Sequence, residues 1–259
     1  MAYQHISSRD NPLFKQLKAL SSSSRERRSA GKLLLDGAHL LEAYLQTFGE
    51  PELLVISEGD IALDVMHLLD QLVEIRTITM PASMFGAISP VKTPTGILAL
   101  VKTPALTPPE QPDFVLMLES IQDPGNLGSL LRNAAAAGVD VVYLSEGCTE
   151  AWSPRALRGG QGAHFVLPIV EQVDLPAVIR NFEGQTLATT MHGASLYDQA
   201  LSGRVAFVIG NEGAGLSQAV IDAATTQVTI PMPGKVESLN AAAAAAVCLF
   251  ERVRQTRAV

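Results

Sequence analysis

The chain has 259 residues, of which 47% are hydrophobic, and its mean hydropathy is positive. This composition excludes a disordered protein and indicates one large or two small globular domains. Its two cysteines, Cys148 and Cys248, are too few for a disulfide framework and lack metal-ligand spacing, so we expect a protein of the reducing cytoplasm with no metal. The longest apolar run, Ala241 to Phe250, is about half a membrane span, so we expect no membrane partner.

The first part of the chain alternates short apolar strands with helical patterns. Strands are predicted at 33–35, 53–56, 74–79 and 96–101, and helices at 38–48, 61–72 and 81–87. This alternation predicts a small α/β domain over residues 1–103. The following segment, 104–112, holds four prolines and no apolar periodicity, so it is interpreted as an interdomain linker.

Charge is unevenly distributed between these parts. Residues 1–32 hold seven Lys and Arg residues against two acids, so this N-terminal arm carries +5 while the whole chain carries −7. A basic arm on an acidic body is typical of a protein that contacts phosphate with one region only. A solvated amphipathic helix explains the same charges equally well.

A second α/β domain is predicted over residues 113–259. Continuous apolar strands are predicted at 114–118, 139–144, 165–170, 186–190, 205–209 and 228–230. Such strands are typical of a parallel sheet covered on both faces. A helix at 127–137 ends at Gly138, another begins with Ser153 as N-cap and Pro154 at its first position, and an alanine-rich helix follows residue 240.

Three loops rich in Gly and Asn follow strands of this domain, where ligands of open α/β sheets bind. In the first loop, Gly125 and Gly128 bracket Asn126, and Arg132 falls on the first or second turn of the next helix. In the alternative interpretation no ligand binds here: Asn126 is a simple N-cap and Arg132 is a surface charge.

The second loop runs from Phe207 to Ser217, and its glycines are spaced GxxGxG. This spacing matches neither the dinucleotide-binding GxGxxG pattern nor a P-loop. Glu212 within the loop would repel a pyrophosphate and suits a neutral or cationic ligand better. A glycine turn without any ligand is the alternative.

The third loop, Ile230 to Asn240, leads into the alanine-rich helix. Ser238 and Asn240 present a hydroxyl and an amide at the helix start, where unpaired backbone N–H groups can hold a ligand. Ser238 acting only as an N-cap is the alternative. Because three such loops follow strands of one domain, we expect a binding site.

Taken in order, these loops resemble the signature motifs of the SpoU (TrmH-type) branch of the SPOUT methyltransferases. Asn126, Gly128 and Arg132 match Asn-x-Gly-x-x-x-Arg; residues 210–215 match the Gly-Asn/Ala-Glu-Gly-x-Gly loop; and residues 230–240 match Ile-Pro-Met-x-Gly-x-x-x-Ser-Leu-Asn without a gap. The N-terminal part resembles the substrate-binding domain of many such enzymes, which has a fold like a small ribosomal RNA-binding protein. Asp36 stands where that domain usually has Glu.

The resemblance implies an α/β fold in which a parallel-sheet SPOUT domain forms a deep trefoil knot, against the general rule that chains avoid knots. It also implies S-adenosylmethionine as cofactor and a homodimer with the active site at the subunit interface. The residues that would contact the cofactor are Gly210, Ile230, Leu239 and Thr189.

The implied reaction transfers a methyl group to a ribose 2′-hydroxyl of structured RNA, with ribosomal RNA favoured over transfer RNA. A ribose hydroxyl is a poor nucleophile, so the protein must remove its proton or stabilise the alkoxide. Arg132 is the family's catalytic arginine, and we expect it to stabilise the alkoxide because the pKa of a guanidinium exceeds roughly 12. Asn126, Ser238 and Asn240 would orient the ribose, and Glu212 would fix its loop.

We expect RNA contacts from the basic arm and from the loop that begins at Ser153. The candidate residues are Arg25, Arg27, Arg28, Lys32, Arg155 and Arg158. A non-catalytic RNA-binding or ribosome-associated protein is the main alternative, and the intact motif residues disfavour it. A nucleotide-dependent oxidoreductase is disfavoured by the glycine spacing of the second loop.

Overall fold

A computed structural model describes residues 3–59, 61–89, 91 and 94–257 of the protein. The chain forms two compact units. The first comprises residues up to Pro104 together with Trp152–Phe165, and the second comprises Ala105–Ala151 together with residues from Val166 onward. Trp152–Phe165 belongs with the first unit because Leu157 and Phe165 are buried in its apolar core. The first unit therefore differs from the contiguous range 1–103 predicted from the sequence.

The first unit contains a five-stranded mixed sheet in the order β1-β4-β3-β5-β2. Strand β4 is parallel to β1 and β3, whereas β5 is antiparallel to β2 and β3. The strands are β1 (Gln4–His5), β2 (Lys32–Asp36), β3 (Leu53–Ser57), β4 (Thr77–Met80) and β5 (Ile97–Lys102). The helices are α1 (Pro12–Ser22), α2 (Ser24–Ala30), α3 (Ala38–Phe48), α4 (Leu63–Gln71), α5 (Ala82–Phe85) and α7 (Pro154–Gly160).

The N-terminal arm is folded into two helices. Asn11 caps α1 by accepting a hydrogen bond from Leu13 N, and Pro12 occupies the first helical position. Phe14, Leu17 and Leu20 bury the apolar face of α1 in the core of the first unit. The arm is thus a packed amphipathic helix followed by a short basic one.

The second unit contains a six-stranded parallel sheet in the order β11-β9-β10-β6-β7-β8. Its strands are β6 (Phe114–Leu118), β7 (Val141–Ser145), β8 (Ile169–Val173), β9 (Gln185–Ser195), β10 (Val205–Ile209) and β11 (Thr226–Thr229). Its helices are α6 (Pro124–Ala137), α8 (Leu175–Asn181), α9 (Gln218–Ala223) and α10 (Ala241–Arg257). Every residue of β6 and β10 is buried, which confirms the parallel sheet predicted from continuous apolar strands.

Several predicted strands differ in their bounds from the structure, and β8 and β9 differ most. Strand β8 begins at Ile169 rather than at 165, because Ala163–Phe165 form a 3-10 turn. Strand β9 continues to Ser195 rather than ending at 190, because its pairing with β11 resumes beyond a bulge and joins Thr229 to Ser195.

Helix α6 starts three residues before the predicted position. Asp123 is its N-cap and accepts a hydrogen bond from Asn126 N at 2.9 Å, and Pro124 takes the first helical position. The predicted end is confirmed, since Gly138 adopts the left-handed conformation with φ of 78°. Ser153 and Pro154 likewise begin α7 as predicted.

The loops after β6, β10 and β11 leave the same edge of the sheet because the strands are parallel. The chain proceeds from β6 outward to β7 and β8, then returns to β9 and β10 on the other side of β6. This reversal of strand order is the position at which open α/β sheets bind ligands. Among the described residues, no helix has the length and apolar character needed to cross a bilayer.

An ion pair between Glu251 and the exposed Arg254 lies within the C-terminal helix α10. Glu251 on α10 is 8% exposed and accepts hydrogen bonds from Arg254 Nε at 2.9 Å and Nη2 at 2.7 Å, and from Gln255. These donors lower the pKa of Glu251 to about 2. Because the folded-state pKa lies below the unfolded one, the pair stabilises the protein above pH ~4.3 and loses this effect as pH falls toward 2.

We therefore expect Glu251→Gln to lower the free energy of unfolding by about 1 kcal/mol at pH 7. The difference from wild type should shrink as pH falls from 4 to 2, which thermal denaturation across that range measures. Glu183→Gln, which removes an exposed partner of Arg204, is the control with little effect. A destabilisation of Glu251→Gln that is independent of pH would contradict this assignment.

Candidate active site

A cleft of about 760 Å³ lies in the second unit, with walls from the end of β9 and the loops after β10 and β11. This volume is typical of a site for a small molecule. Seven of the residues predicted for the site line this cleft: Thr189, Gly210, Glu212, Ile230, Ser238, Leu239 and Asn240. The structure thus brings together all predicted cofactor contacts.

The glycine loop after β10 is tightly closed on itself. Asn211 N donates to Gly215 O at 3.1 Å, and Gly215 N donates back to Asn211 O at 3.0 Å. A Cβ at Gly210 would lie 2.4 Å from the carbonyl carbon of Gly215, closer than real Cβ contacts allow. Glycine at 210 is therefore required by the close approach of the loop's two ends.

Two polar side chains anchor this loop to the neighbouring strand β6. The carboxylate of Glu119 accepts hydrogen bonds from the backbone N and the hydroxyl of Ser217, at 2.7 and 2.6 Å. Asn211 donates from Nδ2 to Ser120 O at 2.8 Å. Glu119 and the N-cap Asp123 thus have structural roles beside the first loop.

One side chain from each of the three loops joins a hydrogen-bonded chain. Asn126 Nδ2 donates to Glu212 Oε1 at 2.9 Å, and Asn240 Nδ2 donates to Asn126 Oδ1 at 3.0 Å. Asn240 Oδ1 accepts from Ala242 N at 2.9 Å, so Asn240, rather than Ser238, caps α10. The three motif loops therefore form one constellation, as expected from their order along the sheet.

Arg132 lies apart from this constellation. Because α6 begins at Pro124, Arg132 falls on its third turn rather than on the first or second. Its side chain is exposed and is not among the residues that line the cleft. Its neighbour Asn133 donates to Ala242 O at 2.8 Å and so fixes α6 against α10.

The charge of the cleft favours a cationic ligand. Glu212 and Glu237 line it, whereas none of its described lining residues is Lys or Arg. Both acidic residues are exposed, and their negative charge attracts a cation. These residues fit S-adenosylmethionine, whose sulfonium is cationic and supplies an electrophilic methyl group when bound. Thr189, Gly210, Ile230 and Leu239 would hold it.

Met191 and His192 are among the lining residues that sequence reasoning missed. They lie on the extension of β9, where the sequence Met-His-Gly-Ala-Ser has no continuous apolar pattern. Thr189 in the same strand donates its hydroxyl to Val208 O at 2.8 Å, which leaves its oxygen lone pairs for a ligand. Pairing of β9 with β11, which sequence does not show, makes this extension a wall of the cleft.

The structure divides the predicted RNA-binding residues into two groups. Arg25, Arg28, Arg155 and Arg158 are exposed, the last two on α7 of the first unit. Arg27 is only 5% exposed and donates from Nη1 to Leu20 O at 2.6 Å, so it joins α2 to α1 and its prediction as a direct RNA contact was wrong. Lys32 is half-buried and paired with Glu52.

Comparison with known proteins agrees with this geometry. Residues 113–250 match the SpoU rRNA Methylase family, and residues 11–99 match the MRM3-like substrate binding domain. The 23S rRNA (guanosine(2553)-2′-O)-methyltransferase RlmP of Bacillus subtilis is 32% identical, with 95% of this chain and 98% of that protein aligned.

Two solved structures superpose on nearly the whole chain. One is a crystal structure of an RNA 2′-O ribose methyltransferase, with a TM-score of 0.85 and 31% identity over 99% of this chain and 100% of that one. Another is the SpoU methyltransferase AviRb from Streptomyces viridochromogenes in complex with AdoMet, with a TM-score of 0.83 and 27% identity over 96% and 100%. The predicted α/β fold is thereby confirmed, and the observed strand order is consistent with the knot that the resemblance implies. The chain belongs to the SpoU rRNA methylase family of S-adenosylmethionine-dependent ribose 2′-O-methyltransferases.

Proposed function

We propose that this protein methylates a ribose 2′-hydroxyl of ribosomal RNA in the cytoplasm, with S-adenosylmethionine as the methyl donor. The observation that carries the proposal is the contact of Asn126, Glu212 and Asn240 beside a cleft lined by acidic residues. The Bacillus subtilis relative is named as a 23S rRNA methyltransferase, which favours ribosomal RNA over transfer RNA as the substrate.

The chain's own residues would orient and stabilise the reacting hydroxyl. Glu212 and Asn240 hold the amide of Asn126 in one orientation through its two polar atoms. Ser238 lies two residues before Asn240 in the third loop and does not cap α10, so its hydroxyl would position the ribose. Arg132 would stabilise the developing alkoxide as a fixed positive charge. Positioning of this kind is the main contribution that the protein makes to such a transfer.

Because Arg132 does not line the cleft of its own subunit, we propose that a second copy of the chain supplies it. Ala243, Val247 and Phe250 share one face of helix α10 by helical spacing; Ala243 and Phe250 are exposed, and Val247 is half-buried. Phe250 is 46% exposed, and a second copy packed on this stripe would remove its apolar surface from water. Since α6 packs on α10, a homodimer through this face would place Arg132 next to the partner's surface.

The direct test supplies tritiated S-adenosylmethionine and protein-free ribosomal RNA to the purified protein. We expect the label in one nucleotide whose 3′ phosphodiester resists alkaline cleavage, because a 2′-O-methyl group blocks that hydrolysis. Transfer RNA is the comparison substrate. Label in a base, or in transfer RNA alone, would contradict the proposal; RNA binding without any methyl transfer would instead favour a non-catalytic RNA-binding protein.

A double substitution tests the basic arm. We expect Arg25→Gln with Arg28→Gln to weaken RNA binding, with a salt slope lower by about two, because each exposed arginine that contacts phosphate releases about one counterion. Binding of labelled ribosomal RNA fragments across a salt series measures this slope. Arg27→Gln is the contrasting variant, expected to lower the melting temperature because it breaks the buried bond to Leu20 O. An unchanged slope in the double variant would remove the arm from the RNA surface.

A further inference from the structure

The first unit contains its own pocket, of about 210 Å³. Its apolar walls come from residues that include Leu34, Leu40, Pro154 and Leu157. The volume equals that of about seven waters at ~30 Å³ each, and it is smaller than the pockets that enclose drug-sized molecules. A single heterocyclic base is the size of ligand that such a pocket takes.

The pocket is lined by hydrogen-bond donors and acceptors, and its charged residues include both acids and a base. Its polar lining residues are Asp36, His39, Asp64, Thr95, Arg158 and Gln161. Two carboxylates in so small a space disfavour a phosphate. A neutral ligand with donors beside an acceptor suits the carboxylates and the guanidinium together.

Asp36 and Arg158 both line this pocket. Burial raises the pKa of the Asp36 carboxyl, whereas the hydrogen bond from Ser89 and the positive charge of Arg158 lower it. Ser89 donates to Oδ2, which uses one of about four acceptor positions of the carboxylate. The remaining positions are available to N–H donors of a ligand, and the exposed Arg158 can donate to an oxygen.

The start of helix α3 adds further donors at the same place. Gly37 occupies the N-cap with φ of 95° and supplies no side-chain cap, so the first-turn N–H groups at Ala38 and His39 are not capped by it. Both residues line the pocket, and the exposed ring of His39 offers a stacking surface for a base.

We propose that this pocket binds an unpaired guanine base of the RNA substrate. Guanine presents two adjacent N–H donors next to a carbonyl oxygen on its Watson–Crick edge. The Asp36 carboxylate would accept from the two N–H groups, and Arg158 would donate to the oxygen. Unstacked bases of single-stranded RNA are commonly read on this edge. The inference rests on the proposed function in taking RNA as the substrate.

The test uses the full chain and fluorescein-labelled RNA nonamers of adenosine with guanosine, inosine or adenosine at the centre. We expect the guanosine nonamer to bind about 10-fold more tightly than the all-adenosine one, the discrimination typical of a bidentate base contact. Inosine lacks the exocyclic amine and should fall between them. Equal binding of the three nonamers would overturn the inference.

Two variants locate the contact. Asp36→Asn and Arg158→Gln should each reduce the preference for guanosine to about 2-fold or less, because each removes one half of the recognition. Arg155→Gln, on the exposed face of the same helix and outside the pocket lining, is the matched control: it should weaken all three nonamers alike and keep their ratio. Melting temperatures check that the variants remain folded.

The outcomes separate this inference from the proposed function. Methyl transfer to ribosomal RNA without any guanosine preference would overturn the guanine pocket alone. A guanosine preference without methyl transfer would overturn the proposed function and keep the pocket. If Arg158→Gln weakened the binding of all three nonamers equally, Arg158 would contact phosphate only, and the proposed recognition of a base would be overturned.

Discussion

Replacing Arg132 with alanine is expected to reduce methyl transfer at least 100-fold, the loss typical when one preorganised donor to a developing oxyanion is removed. The affinity for S-adenosylmethionine should be unchanged, because the expected cofactor contacts come from other residues of the cleft, Thr189, Gly210, Ile230 and Leu239. Stability should also be unchanged, since the side chain is exposed on α6. Single-turnover methylation and calorimetric titration of the cofactor measure the two effects separately.

Arg180→Ala is the matched control, because Arg180 is also an exposed arginine on a helix of the second unit and does not line the cleft. It should retain wild-type turnover. If Arg132→Ala retained wild-type turnover as well, the assignment of Arg132 would be wrong. If it lost cofactor affinity together with turnover, Arg132 would belong to the cofactor site instead.

Gly210→Ala is expected to weaken cofactor binding at least 10-fold. The added methyl would meet the carbonyl carbon of Gly215 at 2.4 Å, so the loop must open and displace its backbone from the cleft. Overpacking of this kind costs about 1–3 kcal/mol. Calorimetric titration with S-adenosylmethionine gives the dissociation constant, and the thermal melt reports any accompanying loss of stability.

Gly213→Ala is the control within the same loop. The nearest atom to its added methyl would be Asn211 Oδ1 at 3.5 Å, an ordinary contact distance. It should change cofactor affinity less than Gly210→Ala does. Equal effects of the two substitutions would show that the close approach of Gly210 to Gly215 is not the cause.

Mixing the Arg132→Ala and Gly210→Ala variants tests the proposed homodimer. If Arg132 serves the cleft of the partner, a mixed dimer combines the intact cleft of the Arg132→Ala chain with the intact arginine of the Gly210→Ala chain. With random exchange, half of the dimers are mixed and each has one working site, so activity should return to about a quarter of wild type. If subunit exchange is verified and activity does not recover, Arg132 must act on the cleft of its own subunit.

The sequence was informative where local chemistry decides structure. The Ser153-Pro154 helix start, the Gly138 helix end and the continuous apolar strands were predicted because each depends on a few adjacent residues. The three motif loops were placed at one edge because parallel strands require it. Their side chains do meet, through the amide of Asn126.

Other features depended on partners distant in sequence. Arg27 is indistinguishable from Arg25 and Arg28 by charge, yet it is buried because Leu20 O lies within its reach once α1 and α2 pack. The extension of β9 to Ser195 required the pairing with β11. The packing of Trp152–Phe165 with the first unit required a core formed by residues between Leu33 and Val101, far earlier in the chain.

The sequence by itself determined the parallel α/β domain, through apolar periodicity and turn chemistry that act over short separations. The motif residues that join the three loops were also identified from the sequence, and the resemblance to a known family implied the cofactor contacts that line the cleft. Only the tertiary structure decided that Arg132 lies off the cleft, that Asn240 rather than Ser238 caps α10, and that Asp36 and Arg158 share a pocket. Those relations depend on which segments pack together, and packing brings together residues whose separation along the chain carries no signal of their contact.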